Sequence, residues 1–294
     1  MRVSILPRPS MAYGRPPDFI GLGGGRSGTN WLAACLDEHP RASVPVGEIH
    51  FFSRERAWRK GRQWYESMFA SCPSHELAGE CSSSYWASEE APARIASLYP
   101  HAKLIVSLRD PVNRAFSQYR NELGSGRVRP GTPFLDAYAM TGEYAAGSRH
   151  ATNLERYLSH IPRERIHIMV FEETFVHPER ALAGVFGFLG IDSHACPRSA
   201  HVRINQSSSP RSRAVNALFA RGSGLLKRPG LVGIWRFMQE TGIASSLKRL
   251  NARHEPDHAR MPAESERRAL RSSFVSEIAR IEGFLGRHIP SWRA

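Results

Sequence analysis

Residues 18–36 read DFIGLGGGRSGTNWLAACL, and this stretch decides the fold of the chain. Residues 19–22 form an apolar run that is typical of a buried strand. Residues 23–25 are three glycines, and residues 31–36 place apolar side chains on one face of a helix. A strand, a glycine-rich turn and a helix N-terminus together bind phosphate, because free N–H groups and the helix dipole face the anion.

The turn has the spacing of a nucleotide P-loop with one part missing. Gly23 and Gly28 have the G-x-x-x-x-G spacing, but the next residues are Thr29 and Asn30 rather than Lys and Ser or Thr. The loop therefore lacks the lysine for a γ-phosphate and the usual magnesium hydroxyl. It predicts a nucleotide phosphate site that is not built for Mg-NTP hydrolysis; the alternative is a glycine-rich turn without a ligand.

The charge balance is strongly basic. The 294 residues carry a formal net charge of +13, with 41% hydrophobic residues, as in an ordinary globular protein. Such a charge favours anionic partners such as a nucleotide, a sulfated substrate, nucleic acid or an anionic membrane. Because arginine is spread along the whole chain, a general arginine bias explains the count equally well.

The cysteines and the N-terminal residues predict a location in the cytoplasm. Cys35, Cys72, Cys81 and Cys196 show no CxxC spacing, which argues against a zinc site or a disulfide framework and suits a reducing environment. Residues 1–17 are proline-rich and predict a flexible tail without the apolar core of a signal peptide. We expect a soluble cytoplasmic protein without a transmembrane segment.

Further strands and helices follow the opening unit. Apolar runs predict strands at 76–80, 102–108 and 165–171. Helical patterns occupy 61–70, 89–98, 112–123, 133–141, 147–160 and 172–189, and again 235–250 and 262–287. Alternating strands and helices predict an α/β fold: a central parallel β-sheet flanked by helices, with a helical C-terminal segment.

The domain organisation is simple. After the tail, residues 18–294 predict a single domain. Residues 195–230 interrupt the alternating pattern with Pro, Ser, Gly and Arg, and are either a linker or a mobile lid over a cofactor or substrate.

Four pieces of sequence carry a resemblance to a known family. They are GGGRSGTNWL at 23–32, HP at 39–40, GEIHFF at 47–52 and LIVSLRDPVNRAFSQY at 104–119. In this order they resemble the sulfotransferases that use 3′-phosphoadenosine 5′-phosphosulfate (PAPS). Residues 79–119 most resemble the glycan-modifying branch, which includes the heparan sulfate sulfotransferases. The resemblance implies a P-loop-like nucleotide-binding fold.

The resemblance implies that the glycine loop holds the 5′-phosphosulfate. The predicted contacts are Arg26, Ser27, Gly28, Thr29, Asn30 and Trp31. Arg26 stands where many members have Lys, and Asn30 replaces a hydroxyl residue. Arg26 can neutralise charge that moves onto the departing phosphate. Since guanidinium hardly deprotonates, we predict an electrostatic clamp and not the leaving-group acid.

The second implied site is for the 3′-phosphate. Arg109 ends a buried strand, and Ser117 lies two turns into the following helix. Arg211, in the segment 205–213, resembles a late residue that closes over the nucleotide. The alternatives are that Arg109 pairs with a carboxylate, that Ser117 is a surface hydroxyl and that 205–213 is a flexible basic linker. Arg114 is predicted to be solvated or structural.

Glu48 and His50 alternate onto one face of a segment predicted to be extended, 43–52. An acceptor hydroxyl must lose its proton as it attacks sulfur, and a nearby carboxylate can take it. The resemblance implies that Glu48 is this general base and that His50 supports it or contacts the substrate. The alternatives are a surface salt bridge for Glu48 and a packed histidine for His50.

A third segment offers contacts to the acceptor. Residues 80–85 resemble a family pattern E-K-[ST]-x-x-Y, with Cys81 in place of the lysine. Ser84 and Tyr85 are the predicted acceptor contacts, and plain loop packing is the alternative.

The sequence thus predicts a PAPS-dependent sulfotransferase that needs no metal and releases adenosine 3′,5′-bisphosphate. The acceptor is a saccharide, a glycolipid or a small alcohol or amine, and no nucleic acid partner is expected. Two alternatives differ in class: a P-loop kinase or NTPase, and a non-enzymatic polyanion-binding protein. The missing Gly-Lys-Ser/Thr argues against the first, and the dispersed basic residues argue against the second.

Overall fold

A computed structural model describes residues 14–45, 47–202, 209–210, 252–253 and 262–293. The predicted helix at 235–250, the predicted contact from Arg211 and most of the predicted lid at 195–230 lie outside the described residues.

Five parallel strands form the central sheet. They are β1 (Phe19–Gly23), β2 (Ala42–Ser43), β3 (Leu77–Cys81), β4 (Lys103–Leu108) and β5 (Ile166–Val170). Their order is β2-β3-β1-β4-β5, and every pairing between neighbours is parallel. The predicted α/β class is confirmed, and all four predicted strands are present.

Strand β1 lies at the centre of the sheet. Gly21 pairs with Cys81 of β3 on one side and with Ile105 of β4 on the other. Strands β2 and β3 lie on one side of β1 in the sheet. The chain then crosses over, and β4 and β5 lie on the other side. Such a reversal opens a crevice at the carboxyl ends of the strands, where open α/β sheets bind their ligands.

Helices follow or cover these strands. The α-helices of the described residues are α1 (Thr29–Asp37), α2 (Glu55–Trp58), α3 (Gly61–Ser67), α4 (Ala91–Leu98), α5 (Pro111–Ser125), α6 (Phe134–Met140), α7 (Glu143–Ser148), α8 (His150–Leu158), α9 (Phe171–Thr174), α10 (Pro178–Leu189), α11 (Glu264–Ser272) and α12 (Val275–Leu285). Single 3₁₀ turns span Ser83–Tyr85, Arg163–Arg165, Arg198–His201 and Pro290–Trp292.

Two predicted helices are interrupted. The helix predicted at 172–189 is α9 followed by α10, because Pro178 has no N–H to donate and restricts the residue before it. The helix predicted at 262–287 is α11 followed by α12. They separate at buried Phe274, whose N–H bonds to the carbonyl of Arg271, three residues back, at 2.9 Å.

Two other predicted segments also differ from the structure. The helix predicted at 147–160 is divided between α7 and α8, with Arg149 in non-helical geometry before α8. The segment predicted to be extended at 43–52 contains only the end of β2 as strand, and residues 51–53 form a turn. The alternation expected for Glu48 and His50 is therefore not that of a strand.

The core lies between the sheet, α1 and α10. The apolar face of α1 contributes Trp31, Leu32 and Cys35, each at most 2% exposed. Val185 and Phe186 of α10 pack into the same cluster and are fully buried. Burial of this size stabilises each side chain by about 1.5–3 kcal/mol and fixes α1 against β1.

The chain forms two compact units. The first comprises residues 1–114, 145–204 and 268–294 and contains the five-stranded sheet; the second comprises residues 115–144 and 205–267. In the second unit the Tyr119 hydroxyl donates to the carbonyl of Thr132 at 2.7 Å, and strands β6 (Ser209–Pro210) and β7 (Ala252–Arg253) pair antiparallel. The single domain expected over 18–294 stays a prediction.

Helix α12 packs against α8 in the first unit. Glu277 accepts hydrogen bonds from the N–H groups of Ala151 and Thr152 at 2.7 and 3.0 Å, in the first turn of α8. This carboxylate satisfies donors that a helix N-terminus otherwise leaves without partners. Within the described ranges, no helix is long and apolar enough to cross a membrane.

Candidate functional site

The glycine loop joins β1 to α1 at the carboxyl edge of the sheet. Gly28 is the N-cap of α1 with φ 93°, and a Cβ on it would lie 3.1 Å from Phe171. A Cβ on Gly23 would lie 2.2 Å from the carbonyl oxygen of Ser107. A Cβ on Gly25 would meet nothing within 4 Å, so the loop is packed on the protein side and open beside Gly25.

The first turn of α1 is suited to an anion. It contains no acidic side chain, so its positive end is not neutralised locally. Ser27 is fully buried, and its Oγ has no hydrogen-bond partner among the described residues. The first N–H groups of any helix also lack intrahelical partners. A phosphate or sulfate at this end of α1 would be met by several donors.

Trp31 belongs to the core and not to the loop surface. Its side chain is 2% exposed, its indole N–H donates to the carbonyl of Ala200 at 3.3 Å, and its ring packs 5.4 Å from that of Phe175. The prediction of a nucleotide contact from Trp31 is therefore corrected for its side chain.

Two site residues have an unusual backbone. Arg26 has φ 77° and His50 has φ 58°, and in the described part of the chain they are the non-glycine residues with positive φ. This conformation costs a non-glycine residue on the order of 1–2 kcal/mol. It persists only where the surroundings enforce it, and such strain clusters at functional sites.

Arg109 directly follows β4 and reaches the loop. Its Nη1 donates to the carbonyl of Arg26 at 3.0 Å, and its guanidinium lies 4.4 Å from the ring centre of Phe171. Its own carbonyl is 2.7 Å from Nε2 of His150. Burial lowers the pKa of His150 to about 3, so the ring is neutral and Nε2 donates this hydrogen bond.

Arg114 is a loop support that sequence reasoning underestimated. It is 1% exposed, its Nε donates to Ser148 Oγ at 2.6 Å, and its Nη1 donates to the carbonyl of Gly25 at 3.2 Å. The structural half of its prediction is confirmed and the solvated half is wrong. The sequence held no indication of this, because Ser148 belongs to another helix and only the folded chain brings the three together.

Ser117 and Arg211 are the other two predicted ligands of the 3′-phosphate. Ser117 is half-buried in α5 and belongs to the second unit. Arg211 lies outside the described residues. Both stay predictions.

Glu48 and His50 come together although they are not on a strand. Glu48 Oε1 accepts the N–H of Ser83 at 2.8 Å, and its Oε2 lies 3.6 Å from Nε2 of His50. Nδ1 of His50 is 2.7 Å from Ser84 Oγ. Burial lowers the pKa of His50, Glu48 raises it in part, and Arg54 lowers it. A carboxylate, an imidazole and a hydroxyl therefore form one chain of polar groups.

A buried carboxyl lies beneath this chain. Glu80 is fully buried in β3; its Oε1 accepts the hydroxyls of Tyr65 at 3.1 Å and Tyr85 at 2.5 Å, and its Oε2 accepts Ser82 Oγ at 2.5 Å. Burial raises the pKa of Glu80 to about 7, although these hydrogen bonds lower it. Because Tyr85 is fully buried in this cluster, the prediction that it contacts the acceptor is corrected.

The site therefore spans the ends of three neighbouring strands. Glu48 is bonded to Ser83, just beyond β3; the glycine loop follows β1; Arg109 follows β4. Neighbouring strands lie about 4.8 Å apart. The order across the sheet is thus the Glu48 carboxylate, the candidate anion-binding loop with Arg26, and a second cation, Arg109. Among the residues described, no group of three or more His, Cys, Asp or Glu side chains is arranged to hold a metal ion.

Residues 86–195 match the model of the Sulfotransferase family. Heparan sulfate glucosamine 3-O-sulfotransferase 3B1 of Homo sapiens is 32% identical over 177 residues, which are 59% of this chain and 44% of that protein. Bifunctional heparan sulfate N-deacetylase/N-sulfotransferase 4 of Mus musculus is 27% identical over 303 residues, which are 94% of this chain and 31% of that protein. The chain spans less than half the length of these curated relatives.

The fold also has a solved counterpart. A sulfotransferase from Alicyclobacillus acidocaldarius superposes with a TM-score of 0.68 at 21% identity, over 95% of this chain and 100% of that chain. The resemblance to sulfotransferases, with the heparan sulfate enzymes among the relatives, is confirmed, and so is the predicted fold. The comparisons do not favour the kinase or polyanion-binding alternatives.

Proposed function

We propose that this chain transfers a sulfuryl group from PAPS to a hydroxyl or amine of an acceptor. One observation carries the proposal: the carboxylate, the anion-binding loop and the second cation lie in that order at the ends of β3, β1 and β4. A donor with two separated phosphates and an acceptor with a proton to lose need these three groups side by side.

The residues present fit the donor. The loop between Gly23 and Gly28 is open beside Gly25, ends at a helix without acidic residues in its first turn, and includes the buried Ser27 Oγ. These features favour the 5′-phosphosulfate at the loop. Arg109 adds a guanidinium at the neighbouring strand, whose fork geometry suits the 3′-phosphate. Ser117 and Arg211 remain proposed ligands of the same phosphate.

The bound donor supplies the sulfur, whose bond to the 5′-phosphate oxygen breaks as the acceptor oxygen or nitrogen bonds to it. Glu48 takes the proton that the acceptor loses. Arg26 and the N–H groups at the start of α1 stabilise the charge that develops on the departing phosphate. Because an arginine stays protonated, Arg26 acts as a clamp and the phosphate leaves with its charge neutralised by contacts.

His50 and Ser84 complete the acceptor side of the proposal. His50 lies between Glu48 and Ser84, at 3.6 and 2.7 Å. A neutral imidazole in this position holds the carboxylate in place and presents a polar surface to the acceptor. We propose positioning roles for both residues, with Glu48 as the one group that accepts a proton.

A saccharide is the first acceptor to test. The relatives are named as sulfotransferases of heparan sulfate, an anionic saccharide. In this chain the exposed side chains of Arg54 and Arg56 follow the segment of Glu48 directly, and such cations suit an anionic acceptor. Small alcohols, amines and glycolipids are the other proposed classes.

Transfer of radiolabelled sulfate from PAPS tests the proposal. The protein is incubated with the labelled donor and a panel of heparan sulfate oligosaccharides, uncharged oligosaccharides, amines and phenols. We expect label in at least one acceptor and release of one equivalent of adenosine 3′,5′-bisphosphate per transfer. Turnover of Mg-ATP without any transfer from PAPS would replace this proposal with the kinase or NTPase alternative.

A further inference from the structure

Glu80 is a fully buried carboxyl group that the transfer chemistry above does not use. It lies in β3, and it accepts hydrogen bonds from three hydroxyl groups, those of Tyr65, Ser82 and Tyr85. A carboxyl group is costly to bury, and a structure that retains one satisfies it with hydrogen bonds, as here. With none of its surface exposed, Glu80 touches neither donor nor acceptor.

The direction of these hydrogen bonds is the informative feature. When Glu80 is ionised its carboxylate only accepts, so the hydroxyls of Ser82 and Tyr85 each give their single proton to Glu80. Their oxygen lone pairs then remain to accept from elsewhere. A hydroxyl that donated its proton to another group would direct its lone pairs elsewhere.

These lone pairs hold three consecutive backbone N–H groups. Ser82 Oγ accepts from Ile49 at 2.9 Å and from His50 at 3.0 Å. The Tyr85 hydroxyl oxygen accepts from Phe51 at 2.8 Å. The three residues directly follow Glu48, so Glu80 is connected to the segment of Glu48 through two hydroxyl groups.

The held segment is one that would otherwise relax. His50 has φ 58°, in the left-handed region that a residue with a Cβ avoids. Phe51 anchors the end of this segment by stacking on Tyr65 in a buried aromatic cluster, whereas the backbone at Ile49 and His50 belongs to no strand or helix and is bound through its N–H groups. Because Glu48 directly precedes this turn, the position of its side chain depends on the backbone conformation of the segment.

We infer that Glu80 is a positioning residue that sets the hydroxyl directions of Ser82 and Tyr85 and thereby holds Glu48 where it can act on the acceptor. This inference rests on the proposed function for its catalytic consequence, but not for its structural one. The carboxylate acts through two intermediaries and takes no proton from the acceptor.

Glu80→Gln is the variant that tests the inference. Glutamine has nearly the same size, but its amide nitrogen must donate, so at least one of the hydroxyls loses its acceptor and must turn. We expect kcat for sulfate transfer to fall by about tenfold or more, while the affinity for adenosine 3′,5′-bisphosphate stays within about twofold, because the loop and Arg109 are untouched.

Glu277→Gln is the matched control. Glu277 is also a buried carboxylate that accepts hydrogen bonds, from the N–H groups of Ala151 and Thr152, from the hydroxyl of Thr152 at 2.5 Å and from Nη1 of Arg280 at 3.5 Å. It supports α8 and belongs to no part of the site. We expect this variant to lose stability as Glu80→Gln does and to keep kcat unchanged.

Ser82→Ala tests the connection itself. If Glu80 acts through Ser82, the double variant Glu80→Gln/Ser82→Ala loses less than the product of the two single losses in kcat. Independent roles would give losses that multiply, and this outcome would overturn the inference.

Amide hydrogen exchange provides a readout that does not depend on catalysis. In Glu80→Gln we expect exchange of the Ile49, His50 and Phe51 amides to accelerate by about tenfold or more relative to the wild type, and not in Glu277→Gln. Unchanged exchange at these amides would overturn the inference. A wild type that transfers no sulfate overturns the proposed function instead, and the exchange result still decides the role of Glu80.

Discussion

The proposed donor side, which is the glycine loop with Arg109, and the proposed acceptor side, which is the segment of Glu48 and His50, are held in place by different means. On the donor side, the loop fits against the sheet because Gly23 and Gly28 have no side chains, and arginines bind its carbonyls. On the acceptor side, Phe51 and Phe52 anchor the end of the segment after Glu48 among buried aromatic rings, but the strained backbone before them is not packed in this way. It is held by hydroxyl groups that a buried carboxylate orients.

The contrast is clearest at the two residues with positive φ. Arg26, on the donor side, has its carbonyl bound by the guanidinium of Arg109 at 3.0 Å. His50, on the acceptor side, has its N–H bound by Ser82 at 3.0 Å. Backbone strain is thus restrained by a charge on one side and by a hydroxyl on the other. Substitutions on the donor side should therefore weaken nucleotide binding, and substitutions on the acceptor side should slow transfer.

The largest separation is expected for Glu48→Gln. Glutamine cannot take the proton, so transfer should fall by about 10²–10⁴-fold. The affinity for adenosine 3′,5′-bisphosphate should not change, because no donor-side contact is lost. Steady-state kinetics and calorimetric titration measure the two quantities.

Glu55→Gln is the control for that prediction. Glu55 is an exposed carboxylate in α2, paired with Arg59 and Arg94, so its substitution makes the same change of charge close by in sequence. It should retain the wild-type kcat. Equal losses of transfer and of nucleotide affinity in Glu48→Gln would make Glu48 a structural residue.

Arg109→Ala should weaken the binding of adenosine 3′,5′-bisphosphate. Loss of a guanidinium from a charged hydrogen bond costs about 1.5–3 kcal/mol, so bisphosphate affinity should fall by about 10–100-fold. Affinity for adenosine 5′-phosphate should fall much less, because that nucleotide lacks the 3′-phosphate. Competition with a fluorescent nucleotide measures both affinities.

Arg287→Ala supplies the control for Arg109. It removes the same charge from an exposed arginine whose guanidinium is paired with Glu173. Its nucleotide affinities should match those of the wild type. Similar losses for both nucleotides in Arg109→Ala would remove Arg109 from the 3′-phosphate site.

Two glycines of one loop should behave differently. Gly28→Ala should lower the free energy of unfolding by about 1–2 kcal/mol, because φ is 93° and the new methyl would meet Phe171 at 3.1 Å. Gly25→Ala should leave stability unchanged, since its Cβ meets nothing, and should weaken bisphosphate binding by filling the open side. Chemical denaturation and titration distinguish them; tight binding by Gly25→Ala would place the phosphate elsewhere.

The smallest effect concerns pH. Burial raises the pKa of Glu80 from its ordinary value of 4.5 to about 7. Its contribution to stability is therefore fully present below about pH 4.5 and is lost as the pH rises through about 7. Compared with Glu80→Gln, the wild type should lose more free energy of unfolding between about pH 5 and 8.

Activity should show the opposite trend, because only ionised Glu80 accepts from both intermediary hydroxyls. Transfer should rise several-fold through about pH 7 in the wild type and more weakly in Glu80→Gln. The titratable groups around Glu80 are Tyr65, Tyr85 and Cys81, whose pKa values burial raises, with Glu48 and His50 above them. Identical pH profiles for the two proteins would contradict this prediction.

The structure of the glycine loop and the place of Arg109 could be predicted from sequence because their determinants are local, while their role in donor binding stays a proposal. A strand, glycines and a helix within residues 18–36 specify the loop, and Arg109 follows a strand that its apolar run identifies. Trp31 was misassigned because a motif does not distinguish the backbone of a residue from its side chain. The side chain of Trp31 follows the apolar period of α1 into the core.

The acceptor side could be predicted only in part. The motif brings Glu48 and His50 together as candidates, whose roles stay proposals. The support of their segment depends on Glu80, Ser82 and Tyr85, which a pattern of residue types does not place. The Glu80 carboxylate is buried by tertiary packing, and its hydrogen-bond directions follow from its neighbours. Sequence therefore predicts Tyr85 as a surface contact, whereas folding makes it a buried intermediary.

The central claim is that the loop and Arg109 form a cradle for a nucleotide with phosphates at both 3′ and 5′ positions. Calorimetric titration of the wild-type protein with adenosine 3′,5′-bisphosphate and with adenosine 5′-phosphate tests it directly. We predict that the bisphosphate binds tighter by about tenfold or more, the contribution of a charged hydrogen bond to the second phosphate. Equal affinities, or tighter binding of the monophosphate, would contradict the claim.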